Sequence, residues 1–169
     1  MPRGFTLLEL LITISVLSIL LATAAPSFSN INESSKMTRL ADELHGFMIQ
    51  AKSEAVFRNQ DLWAHISMPT DPDSTGAWSI SLTDSDTPGG SSILSLSGQP
   101  YKNITFDPDY TSDQIKFDGV RGKVKNGSVY FHPVGAPSNK LRVRSSNNAS
   151  RVFICGQGGE AYGYPECAP

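Results

Sequence analysis

The chain has 169 residues, enough for one core of ordinary size and too few for two full domains. It is 39% hydrophobic and 18% charged at net −2, with 14 Gly and 11 Pro, which excludes bulk disorder, a collagen-like repeat and, on the overall balance, a strongly basic nucleic-acid binder. The charges are unevenly placed, however: residues 61–115 carry eight acidic groups against Lys102 alone, and residues 116–151 carry eight basic groups against Asp118 alone, an asymmetry that bears on partners rather than on fold.

Met1-Pro2-Arg3-Gly4 leads into 21 residues, Phe5 to Ala25, with one charged side chain, Glu9. As a helix rising about 1.5 Å per residue, such a run spans about 30 Å, a single membrane crossing. A secretory signal peptide has a basic segment ahead of its apolar run and a small-residue cleavage site after it; here the leader is short and the run passes into a polar helix. A carboxylate in an apolar span costs about 2.5–3.5 kcal/mol at the bilayer centre and less near the interface, so Glu9 calls for a partner.

Gly4-Phe5-Thr6-Leu7-Leu8-Glu9-Leu10 resembles the class III signal of type IV pilins and type II secretion pseudopilins. The resemblance implies that a prepilin peptidase cuts between Gly4 and Phe5 and methylates the new amino terminus at Phe5. It also implies that the chain waits in the inner membrane, single-pass and with its C-terminal domain periplasmic, before other pilins or pseudopilins take it up through its N-terminal helix. Among packed helices of low dielectric a carboxylate is tolerable opposite an ammonium, so Glu9 would meet the amino terminus of a neighbouring subunit and set the register of assembly.

Beyond Ala25 the helix is expected to continue through a kink at Pro26. Phe28 and Ile31 precede a polar turn. Met37, Leu40, Ala41, Leu44, Phe47, Met48, Ala51 and Ala55 then recur at spacings of three and four, an amphipathic stripe on which a sheet can pack, with His45 a partly exposed spacer. From Gln60 the period changes to two. Short β-branched and aromatic runs bounded by Gly, Pro, Asp and Ser predict strands at Leu62–Ser67, Trp78–Leu82, Ile93–Leu96, Ile104–Phe106, Gln114–Phe117, Ser128–His132, Lys140–Arg144 and Arg151–Cys155. The expected fold is α+β and pilin-like: a leader at 1–4, a transmembrane and assembly helix at 5–29, an amphipathic helix at 30–59, and at 60–169 an antiparallel β-domain, as one sheet or a pair of sheets, on which the amphipathic half packs.

Ala51-Lys52-Ser53-Glu54-Ala55-Val56-Phe57-Arg58-Asn59 resembles the helix end of the FimT/GspH group of minor pilins and pseudopilins. Gly76-Ala77-Trp78, Ile115-Lys116-Phe117-Asp118-Gly119 and Gly127–Phe131 resemble its later strands. The group implies a low-copy subunit near the tip of a filament. Three functions stand: a minor pilin that joins or primes a type IV pilus, a GspH-like minor pseudopilin at the tip of a type II secretion pseudopilus, and a membrane-anchored adhesive module. In an oxidising periplasm the two cysteines, Cys155 and Cys167, imply one disulfide pinning the tail to the last strand, a feature more typical of pilins.

No nucleophile or zinc motif is present, and His45, His65 and His132 fall on separate elements, so neither enzymatic activity nor a cofactor nor a metal is expected. Asp71/Asp73, Asp84/Asp86 and Asp107/Asp109 lack the regular spacing of a calcium loop and sit among turn formers. The basic segment carries the functional signal. Lys123 and Lys125 lie in a predicted loop, Lys140, Arg142 and Arg144 alternate along a strand and so share a face, and Arg151 opens the last strand. Such a face either binds the phosphates of double-stranded DNA without reading sequence or protects a sheet from pairing with other chains. The FimT branch resembles DNA receptors of natural transformation that use a C-terminal Gly-Arg-x-Arg motif; here Ser150-Arg151-Val152-Phe153 keeps only Arg151, with Arg142 and Arg144 able to supply charge from the neighbouring strand.

Overall fold

The structure, a computed structural model, describes residues 4–168 and, for residues 23–30, not the side chains. It divides into two units between Ser35 and Lys36. Helix α1 (Leu7–Arg58) starts two residues later than the apolar run because Thr6 caps it: the Thr6 hydroxyl accepts the Glu9 backbone N–H at 3.2 Å, in a Thr-x-x-Glu start. In the first unit Leu7, Leu8, Leu10, Leu11, Ile12, Ile14, Val16 and Leu17 are all exposed. Thr13, Ser15 and Ser18 donate their hydroxyls to the helix's own carbonyls at 2.7–2.8 Å, which hides those groups along an apolar surface. Among the described residues no helix is long and apolar enough to cross a membrane. Part of the leader, the Pro26 kink, Phe28 and the close of the expected crossing lie outside the described residues.

The second unit holds the core. Its part of α1 buries the whole predicted stripe, from Met37 and Leu40 to Ala51 and Ala55. Eight strands follow, as the period-two runs predict: β1 (Leu62–Ser67), β2 (Ser79–Thr83), β3 (Ser92–Ser97), β4 (Ile104–Asp109), β5 (Gln114–Phe117), β6 (Gly127–Pro133), β7 (Lys140–Ser146) and β8 (Arg151–Gln157). They form two antiparallel four-stranded sheets, β3-β2-β1-β5 and β4-β6-β7-β8. The two meet over one apolar cluster in which Trp78, next to β2, stacks on Phe106 of β4 with ring centroids 4.0 Å apart. Gly98 has no alternative there, because a Cβ would lie against the Trp78 ring.

Polar contacts from α1 fix the second sheet. His45 Nε2 lies 3.3 Å from the Val152 carbonyl and Lys52 Nζ donates to the Ser150 carbonyl at 2.6 Å, so both hold the start of β8. His45 is therefore more than a spacer. At the other end of β8 the chain doubles back: Gly156 donates to the Pro165 carbonyl at 2.8 Å, the Cys167 N–H donates to the Gly156 carbonyl at 2.9 Å, and Cys155 is disulfide-bonded to Cys167 as expected. The Tyr164 hydroxyl donates to Asp42 of α1 at 2.8 Å; burial, then that carboxylate, push its pKa up to about 12.

Candidate functional site

In β7 the apolar Leu141 and Val143 turn into the core, which forces Lys140, Arg142 and Arg144 to the outer face, half-buried along their stems. Register then decides their neighbours. Arg142 lies opposite Tyr130 of β6 and Cys155 of β8, Arg144 opposite Ser128 and Phe153, and Ser146 opposite Arg151. The Arg142 guanidinium stands 5.2 Å from the Tyr130 ring centroid and donates to Ser128 at 2.8 Å; Lys140 stands 5.7 Å from the same ring, and Arg151 is 5.2 Å from the Phe153 ring. Aromatic faces thus hold three of the four cations in place. Tyr130 and Phe153 are the site residues that the basic pattern alone misses, although the alternation of Val129 and Phe131 with Tyr130 already puts Tyr130 on the outer face.

The face is graded. Asp107 and Asp109 of β4 lie opposite Tyr130 and Ser128 in the same rows, so charge runs from acidic at β4 to basic at β7 and β8. Among the described residues the ion pairs are Arg39–Glu43, Arg58–Glu54 and Lys116–Asp61, so Lys140, Arg142, Arg144 and Arg151 keep their charge unpaired. A depression of about 300 Å³ lies along this face, lined by Asp109, Asn126, Arg142, Arg144 and Asn148. A second, of about 600 Å³ and lined by Trp63, Lys116, Lys123, Asn126 and Asn147, adjoins it through Asn126.

Lys123 and Lys125 are parted by their surroundings. Both line the larger depression, but Lys125 donates its ammonium to the carbonyls of Thr111 at 2.6 Å and Gln114 at 3.2 Å and so clamps its loop beside β5. Lys125 thus does structural work there. Beneath that loop the buried Tyr110 hydroxyl lies 2.8 Å from Ser145 Oγ; burial, joined by the Asp109 charge, pushes its pKa up to about 12 against the opposing Ser145 hydrogen bond. Gly127 is needed because a Cβ would meet the Tyr110 ring.

The remaining acidic and imidazole groups are locally engaged. Buried Asp73 accepts from Thr75 at 2.7 Å and from the N–H groups of Gly76 and Ala77 at 2.9 and 3.2 Å, so its carboxylate builds a turn. His65 contacts Thr83 and the Ser85 carbonyl, His132 the Pro133 carbonyl, and His45 the Val152 carbonyl, three separate places. Among the described residues no His, Cys, Asp and Glu cluster could hold a metal ion. The arrangement offers an open, cationic, aromatic-backed surface with polar amides beside it, suited to binding an anionic polymer.

Two family models match the chain. One, "Type II transport protein GspH", covers residues 40–158; the other, the prokaryotic N-terminal methylation motif, covers residues 2–25 and so includes Gly4, Phe5 and Glu9. No curated protein matches by sequence. Among solved structures, the type IV minor pilin FimU of Pseudomonas aeruginosa is similar at a TM-score of 0.60 and 14% identity, over 76% of this chain and 97% of FimU. The minor pseudopilin EpsH from the type 2 secretion system of Vibrio cholerae is similar at 0.52 and 14%, over 72% of this chain and 97% of EpsH. At that identity the likeness establishes the shared pilin-like α+β fold. The first family model spans well over half of the chain, which therefore belongs to the GspH family and, with its N-terminal methylation motif, is a minor pilin or pseudopilin of a type IV pilus or a type II secretion system.

Proposed function

We propose that the protein is a low-copy subunit that joins or primes a type IV pilus and binds double-stranded DNA on the outer face of β7 and β8. The observation that carries the DNA reading is the set of Lys140, Arg142, Arg144 and Arg151, which share that face without an ion-pair partner among the described residues. Cations of this kind, with Lys123 alongside, bind phosphates by counterion release and read no sequence. Residues 5–29 anchor the chain in the inner membrane with its C-terminal domain in the periplasm, prepilin peptidase cleaves before Phe5 and methylates it, and Glu9 directs uptake by other pilins. The role is binding and assembly, not catalysis. The tail pinned by Cys155–Cys167 supports the pilus over the secretion system. The second reading, a tip pseudopilin of type II secretion, is favoured by the description of the matching family model.

A titration of fragment 30–169 with double-stranded DNA at several salt concentrations tests the proposal. Micromolar binding is expected, weakening with salt at a log–log slope of about 0.9 per phosphate contacted. Replacing Arg142, Arg144 and Arg151 together with Gln is expected to abolish it. Absence of binding at low salt, or an unchanged affinity in the triple variant, overturns the DNA reading and leaves a structural tip subunit with these cations as solubilising charge.

A further inference from the structure

Each sheet ends in two edge strands, and a bare edge is a template on which another chain can pair. Three of the four edges are blunted. Along β5 the chain returns, with the Lys125 N–H donating to the Lys116 carbonyl at 2.9 Å and Phe117 bridged to Val124. β4 carries Asp107, Pro108 and Asp109, and its Phe106 exchanges backbone bonds with Asp73. β8 is held at its start by His45 and Lys52 of α1 and at its end by the returning tail. β3 has none of these devices. No charged residue occurs from Thr87 to Tyr101, and among the described residues the backbone of 92–97 pairs with β2 alone.

The side chains of β3 add a second observation. A register shift opposite Leu82 and Thr83 leaves Ile93 out of the ladder, but Leu94 to Ser97 pair regularly with β2. Leu94 and Leu96 face the same side as Leu82 and Ile80, which are buried, yet they remain only half-buried. As residues of an edge strand they would gain cover from a further strand paired beside β3.

We propose that β3 pairs edge to edge with β3 of a second copy of this chain, joining two four-stranded sheets into one antiparallel sheet of eight across a two-fold axis. The occupant follows from the sequence of the strand. In a two-fold antiparallel pair centred on Ser95, Ser95 faces its own counterpart, Leu94 faces Leu96, and Leu96 faces Leu94. Apolar groups then meet on the inner face and hydroxyls on the outer face, with no like charges opposed. The match arises from symmetry alone, and it gives Leu94 and Leu96 the cover they lack.

Sedimentation equilibrium of fragment 30–169, from micromolar to millimolar concentration, tests the pairing. The described core side chains all lie at or beyond Met37, so the fragment carries its own core. Reversible dimerisation is expected. Ser95→Lys and Ser95→Glu each oppose like charges across the axis on an exposed face, so each variant alone should be monomeric, with a urea midpoint equal to that of the unaltered fragment at dilutions where the latter is also monomeric, and an equimolar mixture of the two should dimerise again. A monomer at every concentration, dimers that survive both substitutions, or a mixture that stays monomeric overturns the proposal.

Discussion

At the scale of single residues, Asp61 shows how an exposed-looking carboxylate can matter to the fold. It lies between α1 and β1, receives the Lys116 ammonium at 2.6 Å and the Gly119 N–H at 3.0 Å, and Lys116 in turn stands 5.6 Å from the Trp63 ring centroid. The Lys116 hydrogen bond first, then that of Gly119, hold its pKa below the usual carboxylate range in spite of burial, which acts the other way. A carboxyl whose folded pKa lies below its unfolded one contributes stability above the unfolded value, about 3.9, and loses it as pH falls through the folded value. Glu43 has the same sign: burial raises its pKa, but the Tyr101 hydroxyl and Arg39 together outweigh that effect. Asp61→Asn should therefore cost about 0.5–1 kcal/mol at neutral pH, the range for a solvent-screened pair, and flatten part of the acid decline. Urea midpoints of fragment 30–169 and its variant between about pH 3 and pH 7 measure both effects; parallel pH curves would assign the decline to Glu43 and other carboxylates.

At the scale of elements, the C-terminal segment is held by three kinds of contact: the disulfide, the backbone bonds of Gly156 with Pro165 and Cys167, and Tyr164 on Asp42. Closing a loop of this length stabilises by about 2.5–3 kcal/mol on the chain-entropy account. Replacing Cys155 and Cys167 with Ser should lower the urea midpoint by that equivalent, and a reducing agent should lower that of the unaltered fragment equally. A midpoint that does not move would mean that the backbone bonds and Tyr164 hold the tail unaided. The strands themselves are legible in the sequence because a period of two, with Gly and Pro at the breaks, marks each one; the helix stripe is legible through its period of 3.6. Their division between two sheets is not, since alternation gives a strand's inner face without naming its neighbour, and β5 joins β1 across a long stretch of chain. The candidate face divides along the same line. Positions 140, 142 and 144 follow from alternation, whereas the tethering of Lys125 depends on carbonyls of Thr111 and Gln114 that no side-chain pattern encodes.

At the scale of the whole molecule, the two units carry different tasks. The first has no buried side chain among its described residues before Ser35; its described leucines and isoleucines are exposed and the hydroxyls of Thr13, Ser15 and Ser18 are returned to the helix's own carbonyls, so lipid or the helices of other subunits must cover it. Glu9 is the acidic side chain of that apolar stretch, held in the first turn of α1 by the Thr6 cap. A carboxylate in that place is costly in lipid and becomes tolerable when an ammonium faces it; under the proposed assembly the amino terminus of a neighbouring subunit, freed at Phe5 within the N-terminal methylation motif, would supply one. Glu9→Leu removes the cost and the partner together. The full-length variant should therefore insert in the membrane and be cleaved after Gly4 like the unaltered chain, yet be recovered in the membrane fraction and be lost from sheared filaments at least tenfold. Glu9→Asp, which keeps the charge on a shorter arm, should be lost less. Fragment 30–169 lacks Glu9, so its urea midpoint gives the reference for the second unit apart from assembly. Equal recovery of Glu9→Leu and the unaltered chain in filaments would show that apolar packing of the first unit suffices for uptake, and would remove the charge pair from the mechanism.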